Sequence, residues 1–188
     1  MKKTSYLLLL AGLTVSVRTA QATTVIPPTF DELVAQAEVI FEGDVTDVKS
    51  QWVGEGAQRH IVSYVTFKVE DALKGTPGQS YTIRMLGGTV DGETMGVSDA
   101  PKFKVGDKDI LFVQNNGSQF VPLVGIMHGR FHVKRDQAGQ EVVSNNENEP
   151  VKNVARLGRA AEAADGPEAN LTAADFKAAV KSKLQAPQ

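Results

Sequence analysis

The sequence predicts a mainly β protein built on a small closed barrel, with a short N-terminal helix and a C-terminal helical tail. Three observations support this fold class. Apolar and polar residues alternate in several short stretches between residues 39 and 144, the period expected of strands with one solvated face. Glycine-rich turns separate those stretches, and helical periodicity occurs only before and after them. A barrel is favoured because long strands need edges that are removed or covered.

Residues 1–22 have the three-part pattern of a secretory signal peptide. Lys2 and Lys3 precede an apolar run over residues 6–17, and Ala20-Gln21-Ala22 supplies the small residues of a cleavage site. The run is shorter than the roughly 20 residues of a membrane-spanning helix, and Arg18 ends it. We therefore expect cleavage after residue 22, a periplasmic or secreted product, and no membrane attachment of that product.

Composition narrows the classes of partner. Residues 1–22 hold three of the 20 lysines and arginines and none of the 22 acids, so the remaining chain has 17 basic and 22 acidic side chains, a net charge of −5. Nucleic acid and anionic lipid reward clustered positive charge, and neither is expected as a partner. The chain has no cysteine, which excludes a cysteine nucleophile, thiolate metal sites and a lipidated cysteine. No cofactor is expected.

Residues 23–38 are predicted to form an extended lead-in and a short helix. Pro27 and Pro28 disfavour helix before residue 29. Thr29 and Glu32 have the spacing of a capping box, in which each residue satisfies a backbone N–H of the other. A helix is therefore expected to begin directly after Thr29.

The barrel domain is predicted over residues 39–144. Val39, Phe41 and Val45 alternate with polar residues, and Gly43 among them indicates a bulge. The longest alternation follows, with an inward row formed by Ile61, Val65, Phe67 and Val69. Further strands are predicted over residues 81–85, 109–114, 120–124, 130–134 and 141–144. The apolar residues 110–113 indicate burial on both faces.

Residues 87–101 interrupt the alternation and are predicted to form a long loop. The segment contains Gly87, Gly88, Gly92 and Gly96 and shows no period of either kind. Loops of this length in a compact domain are often functional or mobile.

Residues 145–188 are predicted to be a linker and a helical tail. Residues 145–150 are polar, and the alanine-rich residues 151–164 indicate a loose helix. Thr172 can cap a last helix whose apolar stripe is Phe176, Val180 and Leu184. The stripe either docks on the barrel or binds another molecule.

The order of turns and strands resembles secreted bacterial domains similar to the oligonucleotide/oligosaccharide-binding (OB) barrel of tissue inhibitors of metalloproteinases and netrin modules. The resemblance covers residues 39–133 and is carried by residues 67–75 (FKVEDALKG), 81–85, Gly87-Gly88, 100–107 (APKFKVGD) and 110–113. It implies an OB-like barrel and a partner among secreted proteases. The animal inhibitors chelate the protease zinc through an N-terminal cysteine, whereas Thr23 is the expected mature terminus here.

Two alternatives to a binding module stay open. A metal-dependent hydrolase could use His128, His132 and the acidic residues of segment 87–101, although strand spacing would hold the two histidines about 13 Å apart. Asp91, Glu93 and Asp99 could also wrap calcium, but they lack the full spacing of a calcium loop. A carbohydrate-binding module could stack sugars on aromatic rings, for which the candidates are Trp52, Tyr64 and Tyr81.

The favoured hypothesis is an exported, non-enzymatic module that binds another exported protein, with modulation of a secreted protease as its specific form. Loops at the rim of a barrel can vary without harming the core and are the expected contact surfaces. The candidate binding residues lie in the N-terminal segment and in the long loop: Thr23, Thr24, Thr89, Asp91, Glu93, Met95 and Asp99.

Overall fold

The computed structural model describes residues 26–159 and 169–186. Its helices and strands in chain order are α1 (Phe30–Gln36), β1 (Val39–Val53), β2 (His60–Lys74), β3 (Ser80–Leu86), β4 (Gly88–Val90), β5 (Glu93–Met95), β6 (Lys108–Val113), β7 (Arg130–Arg135), β8 (Glu141–Asn145) and α2 (Ala173–Gln185). Short 3₁₀ turns occupy Gly56–Gln58 and Val154–Arg156. Residues 1–25, including the predicted signal peptide, Thr23 and Thr24, lie outside the described part of the chain.

Six strands form one antiparallel sheet in the order β3-β2-β1-β6-β7-β8, and β4 and β5 form a separate two-stranded sheet. The predicted mainly β class is confirmed. The predicted closure is not found, because within residues 26–159 and 169–186 no ladder joins the edge strands β3 and β8. The sheet is open, and its two edges are covered by loops.

An asparagine side chain covers the edge of β3. Asn116 Oδ1 accepts a hydrogen bond from the Arg84 backbone N–H at 3.0 Å, and Asn116 Nδ2 donates to the Thr82 carbonyl at 2.9 Å. One side-chain amide thus replaces the donor and acceptor of a neighbouring strand. One residue pair further along, the Leu86 N–H donates to the Phe120 carbonyl at 2.7 Å.

The chain that follows β8 covers the other edge. The Val151 N–H donates to the Val143 carbonyl at 2.9 Å, and the Val143 N–H donates to the Leu171 carbonyl at 3.0 Å. These bonds satisfy backbone N–H and C=O groups of β8 that a neighbouring strand would have paired in a closed barrel. The sequence pattern predicts the six strands of this sheet correctly but does not reveal what covers its edges.

The first two long strands bend through bulges. The β1–β2 register shifts between Glu42 and Gly43, at the bulge predicted from Gly43. A Cβ at that position would lie 2.5 Å from the Lys68 carbonyl oxygen, so glycine is required by the close approach of the two backbones.

Two apolar cores lie on opposite faces of β1 and β6. Ile40, Ile110 and Phe112 pack with the helices in the outer core. Phe41, Leu111 and Val113 pack with residues of β2 and β3 in the inner core. The predicted burial of residues 110–113 on both faces is confirmed, since all four are 0% exposed.

Both helices begin at the predicted caps. The Thr29 N–H donates to Glu32 Oε2 at 2.8 Å, and the Glu32 N–H donates to Thr29 Oγ1 at 3.3 Å, which completes the capping box. Thr172 caps α2 by accepting from the Asp175 N–H at 3.1 Å. Phe176 of α2 is fully buried in the outer core, so the tail helix docks on the sheet of its own chain.

Three predicted elements differ from the structure. Residues 120–124 form no regular strand, although 121–124 are buried, because only one isolated bridge joins Val113 and Leu123. The described part of residues 151–164 is a 3₁₀ turn and a bend, since Val151 is held extended against β8. The long loop at residues 87–101 contains the β4–β5 hairpin.

Candidate functional site

A groove lies where the inner face of the sheet continues beyond its core. β6 pairs with β1 only over residues 39–44, whereas β1 extends to Val53. The far halves of β1 and β2 are therefore left uncovered by β6. The β4–β5 hairpin packs against them instead, and the groove lies between this hairpin and the sheet.

The groove has a volume of about 850 Å³ and is open to solvent. Its sheet side is formed by inward-facing residues of β1, β2 and β3, and its opposite side by the chain from β4 to Phe103. The residues that line it are Val48, Ser50, Ser63, Val65, Met85, Leu86, Gly87, Gly88, Thr89, Thr94, Met95, Gly96, Val97, Ser98, Asp99, Ala100, Pro101, Lys102 and Phe103.

A pair of serines forms the base of the groove. Ser63 Oγ donates to the Gly87 carbonyl at 2.6 Å, so the Ser50 hydroxyl 2.8 Å away donates to Ser63. Gly88 packs directly on this pair with φ of +139°, and a Cβ there would lie 2.3 Å from Ser63 Oγ. Only glycine fits this position, both sterically and conformationally. The serine pair thus fixes where the hairpin leaves the sheet.

The hairpin itself follows from an Asp-Gly turn. Asp91 and Gly92 have φ of +52° and +84°, the two positive angles of the turn that best fits a two-residue hairpin. Thr89 and Thr94 face each other across it with their hydroxyls 2.9 Å apart. Asp91 and Glu93 lie exposed at its tip.

A buried arginine supports the far wall. The guanidinium of Arg130 lies 4.0 Å above the Phe103 ring, and its Nη1 donates to the Lys102 carbonyl at 2.7 Å. Arg130 is 2% exposed, and its charge is balanced by Asp109 at 2.8 Å and Asp107 at 2.8 Å. The wall residues 102 and 103 are therefore tied to β6 and β7 through one side chain.

The structure brings together some of the predicted site residues. Thr89, Met95 and Asp99 line the groove, while Asp91 and Glu93 lie at the hairpin tip and are not among its lining residues. Thr23 and Thr24 lie outside the described residues.

The residues on the sheet side of the groove were not among the candidate site residues predicted from the sequence. A signal was present, because Ser63 interrupts the inward row between Ile61 and Val65, and Ser50 stands opposite it in the ladder. Hydroxyls at two facing positions of an apolar row indicate that the core ends there. The Asp91-Gly92 pair was a second signal, since it indicates a hairpin within the segment predicted to be a loop.

The histidines lie apart from the groove. His132 Nδ1 is 2.9 Å from Asp109 Oδ1 in the Arg130 cluster. His128 lines a second cavity of about 470 Å³ together with Pro27, Phe131 and Glu147; burial lowers the pKa of its imidazole, opposed by the Glu147 carboxylate. In the described ranges, no three histidine, aspartate or glutamate side chains are grouped so that they could hold a metal ion.

The candidate aromatic rings are engaged elsewhere. The Arg59 guanidinium lies 4.0 Å over the Trp52 ring. The Tyr81 ring packs 5.3 Å from Phe41 in the inner core. Tyr64 pairs with Arg84 across β2 and β3. None of these three rings lines the groove.

A network of charged side chains lies outside the groove and holds α2 in place. Lys177 of α2 pairs with the buried Glu42 and with Asp71. Burial alone would lower the pKa of the Lys108 ammonium, but Glu70 and Glu141 outweigh it and hold that pKa above its ordinary value. In return, the hydrogen bond from Lys108 lowers the pKa of Glu70.

The fold and the groove together define a mainly β protein with a solvent-open groove at one end of its sheet. A scan against protein-family models gave no match, and a search of curated proteins gave none. Of the helices in the described parts of the chain, neither is long and apolar enough to span a membrane.

Proposed function

We propose that this chain is an exported binding module and that the groove between the β4–β5 hairpin and the sheet receives a segment of another exported protein. The observation that carries the proposal is the groove itself: it is built by a dedicated hairpin on a part of the sheet that β6 leaves uncovered.

The size and chemistry of the groove suit binding. Its volume of about 850 Å³ lies in the range typical of ligand sites, which are mostly apolar with a few polar groups. Its lining follows that pattern, with methionine, valine and phenylalanine side chains around serine and threonine hydroxyls. Met85 and Met95 both face it, and flexible thioether side chains adapt to varied partner surfaces.

An exposed aromatic residue lies on a backbone segment that is bonded to β3, one of the strands that line the groove. Phe120 is 67% exposed, and its carbonyl accepts from the N–H of Leu86, a lining residue. Aromatic side chains are enriched at the energetic centres of protein interfaces. We therefore include Phe120 among the candidate contacts of the partner.

The lining favours binding over catalysis. Ser50 and Ser63 offer hydroxyls, but among the described lining residues there is no histidine, and the one cationic side chain is Lys102 at the opposite wall. A serine nucleophile requires an adjacent base. We therefore propose a binding module and not a hydrolase.

Export and the OB-like resemblance are further parts of the proposal. The pattern of residues 1–22 supports export, and the intact mass of the processed protein tests cleavage after residue 22. The OB-like resemblance rests on the order of turns and strands over residues 39–133. An exported protease is the class of partner that the resemblance suggests.

A groove-filling substitution tests the proposal. Thr94→Trp places a large ring in the groove at an exposed position. Thr46→Trp is the matched control, because Thr46 is also an exposed strand threonine with a hydrogen-bonded hydroxyl but lies outside the groove lining.

We expect purified wild-type protein and Thr46→Trp to recover the same partner from an extract of exported proteins. Thr94→Trp should recover at least tenfold less of that partner. Equal recovery by the two tryptophan variants, with both folded by circular dichroism, would contradict the role of the groove.

A further inference from the structure

The charges around the groove indicate what kind of segment it takes, an inference that rests on the proposed function. We propose that the partner segment is apolar at its centre and carries lysine or arginine beside the apolar residues. The groove would thus recognise both the apolar and the basic side chains of that segment.

The hairpin and the chain that follows it to residue 101 carry acidic side chains and no basic ones. Residues 87–101 contain Asp91, Glu93 and Asp99 and no lysine or arginine. All three carboxylates are exposed. Lys102 is the single cationic side chain among the described residues that line the groove.

These carboxylates differ from the acidic side chains elsewhere in the fold. Asp107 and Asp109 pair with Arg130, and Asp71 pairs with Lys177 and Lys181. Within the described residues, Asp91, Glu93 and Asp99 form no ion pair. In the part of the chain that the structure describes, their negative charge is therefore not balanced by an ion-paired cation.

The apolar side chains on the sheet side of the groove and the acidic rim formed by Asp91, Glu93 and Asp99 would contribute differently to recognition. Burial of apolar side chains against Val48, Val65 and Met85 would supply affinity in proportion to the area removed from water. The rim would attract cationic flanks and repel anionic ones, which determines selectivity and the rate of association. At Gly96, where a Cβ would meet no other atom within 4 Å, the backbone leaves room for close approach by an extended segment.

Three synthetic peptides separate these contributions. They share the same apolar residues and length and carry lysine, glutamine or glutamate at the alternate positions, and each bears a fluorescent label for anisotropy measurements. We expect the lysine peptide to bind about tenfold more tightly than the glutamate peptide at low ionic strength, because each exposed pair contributes only a few-fold. The ratio should shrink at about 0.15 M salt, where exposed charges are screened.

Charge-neutralising variants test the assignment of the rim. Asp91→Asn/Glu93→Gln should reduce the lysine-to-glutamate ratio to about threefold or less. The matched control Glu147→Gln/Glu149→Gln removes two exposed carboxylates beside the second cavity and should keep the full ratio. Thr94→Trp should weaken binding of all three peptides.

The outcomes distinguish this inference from the proposed function. Equal binding of the lysine and glutamate peptides, with both lost in Thr94→Trp, would overturn the charge inference and leave the groove as a binding site. A ratio unchanged by Asp91→Asn/Glu93→Gln, or a preference for the glutamate peptide, would also overturn it. If no peptide binds, or Thr94→Trp binds them all as well as wild type, the proposed function fails and this inference with it.

Discussion

Replacement of Phe176 by alanine tests whether the tail helix is part of the folded domain. Phe176 is 0% exposed, and its ring centroid lies 4.8 Å from that of Phe131, 6.0 Å from Phe30 and 6.2 Å from Phe112. Alanine is a better helix former than phenylalanine, so the change removes packing and not helix propensity. The expected cost is about 3–5 kcal/mol of unfolding free energy, as for other buried phenylalanines.

Such a loss is a large share of the stability of a domain, which is typically about 5–15 kcal/mol. It corresponds to a fall in Tm of roughly 6–20 °C for a domain of this size. Leu184→Ala is the matched control, because Leu184 belongs to the same predicted stripe but is 37% exposed. Its expected cost is about 0.5 kcal/mol.

Urea denaturation followed by circular dichroism and by the fluorescence of Trp52, the single tryptophan, measures both free energies. A cost below about 1 kcal/mol for Phe176→Ala, or equal costs for the two variants, would refute the docking of α2. A lower m-value in Phe176→Ala alone would show that the helix detaches before the sheet unfolds.

Three further predictions concern the edge, the wall and the pH response. Asn116→Asp removes the amide donor to the Thr82 carbonyl and should expose the β3 edge, lowering stability by about 1–3 kcal/mol and increasing association measured by light scattering. Arg130→Met removes the arginine partner of the buried Asp109 and should cost about 3–5 kcal/mol in chemical denaturation. Burial lowers the pKa of His128 in the folded protein. As the pH falls below the ordinary pKa of histidine, the unfolded chain therefore binds a proton at this residue before the folded protein does, and stability decreases. Wild type should therefore lose more stability than His128→Gln between pH 7.5 and 5.5; equal losses would contradict this account.

The local parts of the fold were predictable because their causes lie close together in sequence. The inward row of Ile61, Val65 and Phe67 follows from alternation alone, and all three are buried. The capping box of α1 needs only Thr29 and Glu32. In each case the pattern and the physical cause occupy the same few residues.

The parts that the sequence left open or predicted wrongly depend on distant residues. Docking of α2 stayed open because it depends on a surface formed by Phe30, Phe112 and Phe131, which no pattern within the helix reveals. The prediction of a closed barrel was wrong because the edge of β3 is bonded by the side chain of Asn116, a turn residue, and not by another strand. Residues 121–124 are buried by the inner core and not by strand pairing, and apolar character cannot distinguish the two.

The candidate site was half predictable for the same reason. Thr89, Met95 and Asp99 were identified from the break in periodicity at residues 87–101, and all three line the groove. The sheet side of the groove could not be predicted in the same way, because it depends on the fact that β6 ends its pairing with β1 at Asp44. That boundary is set by strand lengths in three dimensions.

Site-specific photo-cross-linking tests most directly whether the groove binds a partner. A photoreactive amino acid at Met95 would lie in the groove, and the same amino acid at Ala138 would lie in the exposed turn between β7 and β8. The account predicts one dominant adduct with another exported protein from position 95, absent from position 138 and suppressed by Thr94→Trp. Identical adducts from both positions, or none from position 95, would contradict it.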